Sequence, residues 1–294
     1  MKKSIFLIVI VFMTISWKVI SVSKNMGSIP QNIDTSTDTS IDTSIDNPEK
    51  VVEDYSYIDS EPKKIEDIII DGKWKLIWQD EFETKEIDNS KWIIINRKDN
   101  FNNELQYYTQ DNASLKDGVL SITAKKEAKE GKDYTSALLS SRGKFSFKYG
   151  RIDVSARNPV GKGLFTAIWL LPDRAGKPYP EIDIMEMIGQ EPSKIYGVVH
   201  YLQKGKVTKN YNITNLQSYN DYHLYSLEWD SSSLRWYVDG KLFHSTELGV
   251  SQENMYIILN LAVGGNWPGN PNAKTQFPSS FEIDYVRVYE EYKR

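Results

Sequence analysis

Three carboxylates stand within six positions of one apolar segment, Pro180-Glu181-Ile-Asp183-Ile-Met-Glu186-Met-Ile-Gly189. On a regular strand Glu181 and Asp183 share a face and Glu186 points to the other. A β-bulge at Ile184-Met185 rotates Glu186 back, so that all three acids line one floor. An acidic strand can simply have a solvated face, but Ile182, Ile184, Met187 and Ile188 mark this one as buried and central, where acids are costly unless they serve a purpose. Glu181 and Glu186 then lie ~13 Å apart along the backbone, and side chains leaning toward each other close most of that distance. The expected carboxyl separation is near the ~5–5.5 Å at which one acid attacks a sugar while the other protonates the leaving oxygen, not the wider gap that admits a water between them. Asp183, between the two, holds a hydrogen bond or a proton. Crowding like charges raises at least one proton affinity, so one Glu stays protonated while the other remains ionised.

Other chemistries are struck off by inspection. The chain has no Gly-x-Ser-x-Gly elbow, no His-Glu-x-x-His helix and no phosphate loop, and Gly161-Lys-Gly163 lacks the third Gly of a dinucleotide fingerprint. Three histidines, His200, His223 and His244, are too few for a multi-histidine metal centre, and the absence of Cys removes disulfides and thiolate chemistry. No cofactor is expected for catalysis. A formal net charge of −4 offers no basic field for phosphates, so nucleic acid is not an expected partner and a neutral ligand fits better. The 8 Trp and 18 Tyr supply rings for strand packing and for a ligand groove.

The elements that must position these acids read as strands. Val119-Leu-Ser-Ile-Thr-Ala124, Lys144-Phe-Ser-Phe-Lys-Tyr149 and Arg151-Ile-Asp-Val-Ser-Ala156 alternate apolar with polar residues. Leu234-Arg-Trp-Tyr-Val238 and Lys241-Leu-Phe-His244 flank Asp239-Gly240, a hairpin turn dipeptide, and Phe281 to Tyr289 reads as a long closing strand. No long helical period follows Lys73, which predicts an all-β sandwich of two antiparallel sheets. Residues 67–294 are expected to be one catalytic domain. Lys2-Lys3 before the apolar residues 5–17 predicts an export signal over residues 1–23, the alternative being an uncleaved membrane anchor. Residues 24–66, with Asp34, Asp38, Asp42 and Asp46 four apart, read as a flexible linker, since they lack the Gly and Glu of a calcium loop. The protein is expected to be secreted or held at the cell surface, as a monomer.

Glu181-Ile-Asp-Ile-Met-Glu186 resembles the E-x-D-x-x-E signature of glycoside hydrolase family 16. Trp78-Gln-Asp-Glu-Phe82, Asn102-Asn-Glu-Leu-Gln-Tyr-Tyr-Thr109, Tyr134-Thr-Ser-Ala137, Lys148-Tyr-Gly-Arg151, Val198-Val-His-Tyr201, Asn260-Leu-Ala-Val-Gly-Gly-Asn-Trp-Pro-Gly269 and Asp284-Tyr-Val-Arg-Val-Tyr289 are similar, in the same order, to segments of the family's laminarinases. The resemblance spans about residues 73–290. It implies a β-jelly-roll with a concave substrate cleft, and endo-hydrolysis of β-1,3-glucan with retention.

By the same resemblance Glu181 would be the nucleophile, Glu186 the general acid/base and Asp183 the assisting residue. Asn103, Arg142, Trp169, Tyr179, His200 and Trp267 would line the sugar groove, and Glu81, Gly118 and Asp284 would hold a structural calcium. Two segments depart from the laminarinase pattern: Gly163-Leu-Phe165-Thr166-Ala167 where Gly-Leu-Trp-Pro-Ala is usual, and a shortened Pro178-Tyr179-Pro180 before the first acid. The extra Met185 favours β-1,3-glucan over mixed-linkage β-1,3-1,4-glucan, whose hydrolases usually carry the unbulged form. Transglycosylation and non-catalytic glucan binding use the same surface and remain alternatives at this point.

Overall fold

The computed structural model describes residues 68–176 and 178–293. The signal and linker readings of residues 1–23 and 24–66 lie outside the described residues. Among the described residues there is no α-helix, only a 3-10 turn at Gln110–Asn112 and strands.

The strands form two large sheets. The acid sheet has seven, in spatial order Lys206–Asn215, Lys194–Gln203, Glu181–Ile188, Leu164–Pro172, Met255–Val263, Leu138–Ser140 and Ile93–Ile94. The back sheet runs Ile69–Ile70, Trp74–Asp80, Ser279–Glu291, Gly150–Arg157, His223–Trp229, Leu234–Val238 and Lys241–Thr246, and Val119–Ala124 and Ala113–Lys116 join it beside the first half of Ser279–Glu291. Pairing within both sheets is antiparallel. The short strands Gln106–Tyr108 and Tyr134–Ser136 pair in parallel as a separate ribbon. This is the expected sandwich of two antiparallel sheets.

Ser279–Glu291 is the seam of the back sheet. Its first half pairs with Val119–Ala124 and its second with Trp74–Asp80 along one edge, while Gly150–Arg157 lines the other edge. The predicted hairpin is present, with Asp239 and Gly240 both at positive φ, the geometry a two-residue turn needs to match strand twist.

The core lies between the sheets. Leu120, Ile122, Ile152, Val154, Leu227, Trp229 and Trp236 of the back sheet meet Ile168, Leu170, Ile182, Ile184, Met187, Val199 and Leu259 of the acid sheet. Ile182, Ile184 and Met187 are fully buried, and each such side chain contributes roughly 1.5–3 kcal/mol relative to exposure. Their burial offsets the cost of the acids on the opposite face of the same strand.

Residues 144–149 differ from expectation. They form no strand, only an isolated bridge from Phe147 to Met255. Their alternation serves ring packing instead. Phe145 stacks on Trp78 at 4.7 Å, and Phe147 and Tyr149 set their edges against Trp229 at 5.7 and 5.3 Å.

Candidate active site

The bulge that the acid spacing requires is present. On one side of Glu181–Ile188, Met185 pairs with Ile168 and Asp183 with Trp169, leaving Ile184 without a partner. On the other side Asp183 pairs with Val198 and Glu186 with Tyr196, so Ile184 and Met185 together face Gly197. Directly opposed residues share a face of the sheet. The rows of the outer face are therefore Asn260, Ala167, Glu186, Tyr196 and Ile213 at one level, and Ile258, Trp169, Asp183, Val198 and Tyr211 at the next. Beyond them, Glu181, His200 and Lys209 share a third row.

The bulge is held from within the core. Trp236 of the back sheet donates its indole N–H to the main-chain oxygen of Asp183 at 2.9 Å. The ring reaches it by lying over Gly197, where a Cβ would come 2.8 Å from the Trp236 ring and 2.8 Å from Phe243. Glycine opposite the bulge thus makes room for the indole that steadies the acids.

Asp183 is 3% exposed, whereas Glu181 and Glu186 are half-buried and keep an accessible edge. Burial pushes Glu186 up to about 8, with the charge of Glu181 adding to it, and pushes Glu181 up to about 7. Asp183 is driven well above the carboxylate range by burial first and then by Glu186 and Glu181. Lys209 opposes the rise at Asp183 and Glu186. Burial, with a contribution from Lys209, lowers His200 to about 4, so near neutral pH its ring is uncharged. Nε2 of His200 lies 3.5 Å from Oδ2 of Asp183, which makes no hydrogen bond. With a neutral imidazole this contact is not a salt bridge. Burial thus raises all three acids, which lets a proton donor stand beside a nucleophile near neutral pH.

Of the expected groove residues, Trp169 and His200 share rows with the acids. Trp169 is half-buried on the outer face beside Asp183, packs against Tyr108, Leu138, Tyr256 and Ile258, and donates its indole to Asn260 Oδ1 at 2.8 Å. Asn260 in turn donates to the Tyr108 hydroxyl at 3.1 Å, while Gln106 donates to Glu104 at 2.8 Å. Trp267, 41% exposed, stands edge-on to Phe165 and Tyr196 at 5.3 and 4.9 Å, beyond Glu186. Asn103, at positive φ, ties its loop to that of Trp267 by donating to Asn266 Oδ1 at 2.7 Å.

Arg142, over the Tyr256 ring at 5.5 Å, lines a small cavity of about 210 Å³ with Leu171 and Arg174. Arg174 holds the main-chain oxygen of Tyr179 at 3.0 Å and Glu253 at 2.5 Å. Tyr179 and Pro180 line a larger cavity of about 610 Å³ with Tyr201, Gly249 and Gln252, a cavity that neither Glu181 nor Glu186 lines. Phe165 is thus an aromatic neighbour of Trp267 in the segment that departs from the laminarinase pattern.

Tyr196, Asn260, Tyr256 and Lys209 escaped the reading of site residues. Tyr196, Asn260 and Lys209 enter through cross-strand register and Tyr256 through packing with Trp169, and each looks locally like an ordinary strand residue.

Two of the expected calcium ligands have other side-chain partners. Glu81 is held in a forked pair by Arg287 at 2.8 and 2.7 Å, and Asp284 accepts from Ser155 at 3.3 Å. The carboxylate beside Gly118 belongs to Glu83, 2.8 Å from where a Cβ would stand. A hard cation needs several oxygens converging at ~2.3–2.6 Å, and Glu81 could join them by its side chain only by leaving Arg287. Among the described residues, the group of acids and histidines that does converge is Glu181, Asp183 and His200.

Comparison with known proteins gives the following. The model of "Glycosyl hydrolases family 16" matches residues 100–287, and that of "Beta-glucan synthesis-associated protein SKN1/KRE6/Sbg1" matches residues 2–179. A "Beta-glucanase" of Rhodothermus marinus is 38% identical over 250 residues, covering 74% of this chain and 85% of the relative. "Glucan endo-1,3-beta-glucosidase A1" of Niallia circulans is 35% identical over 258 residues, covering 74% of this chain but only 38% of the longer relative. The crystal structure of the laminarinase catalytic domain of Thermotoga maritima MSB8 superposes with a TM-score of 0.68 at 38% identity, over 75% of this chain and 99% of that one.

Proposed function

The chain belongs to glycosyl hydrolase family 16, and on that footing we propose that it is an endo-β-1,3-glucanase in which Glu181 and Glu186 carry out a retaining double displacement. The observation that carries this reading is the bulge, which sets three acids of raised proton affinity on one open sheet face.

In the first step the Glu181 carboxylate attacks the anomeric carbon as the glycosidic bond breaks, and Glu186 gives its proton to the departing sugar oxygen. In the second, Glu186, now ionised, takes a proton from water; the water oxygen bonds the anomeric carbon and the Glu181 ester bond breaks. Asp183 lies between them, its proton affinity raised by burial and by the charges of Glu186 and Glu181. No cofactor takes part. Trp169, Trp267 and Tyr196 offer ring faces and edges to pyranose rings.

Secretion is supported by Lys2-Lys3 and the apolar run behind it, and a monomer acting on an extended neutral polysaccharide fits the net charge of −4. Digestion of laminarin, lichenan and agarose tests the reading. The expected outcome is rapid internal cleavage of laminarin, with the β-anomer as the first product by NMR. A first-formed α-anomer, or no products from laminarin, would overturn it. A transglycosylating reading draws support from the match to a β-glucan synthesis family, and products longer than the starting oligosaccharide would favour it.

A further inference from the structure

We infer that Glu181, Asp183 and His200 form a binding site for a divalent transition-metal ion of the zinc type, and that an ion held there shuts off hydrolysis by occupying the nucleophile.

One ligand atom from each of the three residues lies within 4.8 Å of the other two. Two ligands on one tetrahedral zinc, with bonds of ~2.0–2.1 Å, stand about 3.3 Å apart. The 3.5 Å between His200 Nε2 and Asp183 Oδ2 already matches that spacing, so these two atoms need almost no movement to share an ion. Oδ2 of Asp183 is buried, has no hydrogen-bond partner, and belongs to a side chain only 3% exposed. Buried polar atoms of this kind almost always have a partner, and the one facing His200 lacks it.

The backbone fixes the same arrangement. Glu181 pairs with His200 across the strands, and the main-chain oxygen of Asp183 is pinned by Trp236. Only the Glu181 side chain has to swing to complete three ligands, and its exposed edge leaves a fourth position open to water. One imidazole and two carboxylates form a donor set that suits zinc or cobalt better than the all-oxygen preference of calcium or magnesium. An ion in this position withdraws the Glu181 lone pair from the sugar. The inhibitory part of the inference rests on Glu181 being the nucleophile; the binding part does not.

Calorimetric titration of the full chain, without an added histidine tag and stripped of metal, with zinc chloride is the direct test. The expected result is one ion per chain. Affinity should fall at least tenfold in Asp183→Asn and in His200→Gln, and should stay within about twofold in Glu186→Gln, whose carboxylate lies outside the group. Cobalt in place of zinc should give visible absorption bands that His200→Gln abolishes, and circular dichroism confirms that each variant is folded. Zinc should also raise KM for laminarin with kcat unchanged. Absence of binding heat, or equal affinity in wild type, Asp183→Asn and His200→Gln, overturns the site. Binding without loss of hydrolysis overturns the inhibition. A chain that binds zinc but never cleaves glucan would refute the hydrolase reading and leave the metal site standing.

Discussion

Glu181 and Glu186 differ in what their surroundings ask of them, and activity should report that difference. The proposed mechanism needs Glu181 ionised and Glu186 protonated, so kcat/KM should climb as pH passes about 7 and fall as it passes about 8, giving a narrow bell. A broad plateau from pH 5 to 7 would contradict the assignment. Glu181→Gln and Glu186→Gln should each lower kcat by about three orders of magnitude or more while leaving glucan binding nearly intact, as measured by single-turnover kinetics and affinity electrophoresis. The same burial makes a stability statement. Glu186 binds its proton more tightly folded, at about 8, than at its ordinary value of 4.5. Its contribution to stability is therefore full below about 4.5 and is lost as pH rises through about 8. Glu186→Gln removes that loss, so the variant should melt at the same temperature as wild type near pH 4.5 and several degrees higher at pH 9. Catalytic competence is held here at the expense of the folded state.

At the scale of the element, the bulged strand is shaped by two residues that touch no substrate. Trp236→Phe keeps the ring but leaves the Asp183 main-chain oxygen without its indole donor, and an unsatisfied buried acceptor costs about 1–3 kcal/mol. Thermal melting should register that loss, and kcat should fall more than KM changes because the acids lose their fixed spacing. Unchanged kcat would mean that strand pairing alone holds the bulge. This contrast marks what the sequence could reveal. Six residues containing three acids and one surplus apolar residue announce a bulge, since period-two alternation otherwise sends Glu186 to the wrong face. Gly197 and Trp236 announce nothing, because their importance arises from a register between strands and a contact between sheets. Residues 144–149 mislead for a related reason: alternating Phe145, Phe147 and Tyr149 satisfy the strand pattern while packing as a layer of rings against Trp78 and Trp229. Resemblance supplied the calcium ligands, but only the structure shows Glu81 engaged by Arg287.

For the whole molecule, that pairing has a measurable result. With Glu81 committed to Arg287, excess chelator should leave the melting temperature within about a degree of its starting value, whereas a fall of several degrees would restore a structural calcium. Ser279–Glu291 raises a separate matter of timing. Because this one strand is flanked by Gly150–Arg157, Trp74–Asp80 and Val119–Ala124, the back sheet cannot close until residues 279–291 have left the ribosome. Synthesis therefore delivers the clasp after nearly everything it fastens, and a chain stopped at residue 278 should be insoluble or rapidly digested by protease. A soluble, cooperatively melting fragment would show that the sheet closes without it. A back sheet that stays open until this strand arrives is also one that can be threaded through a narrow translocation channel before it closes, which suits the secretion proposed for this protein.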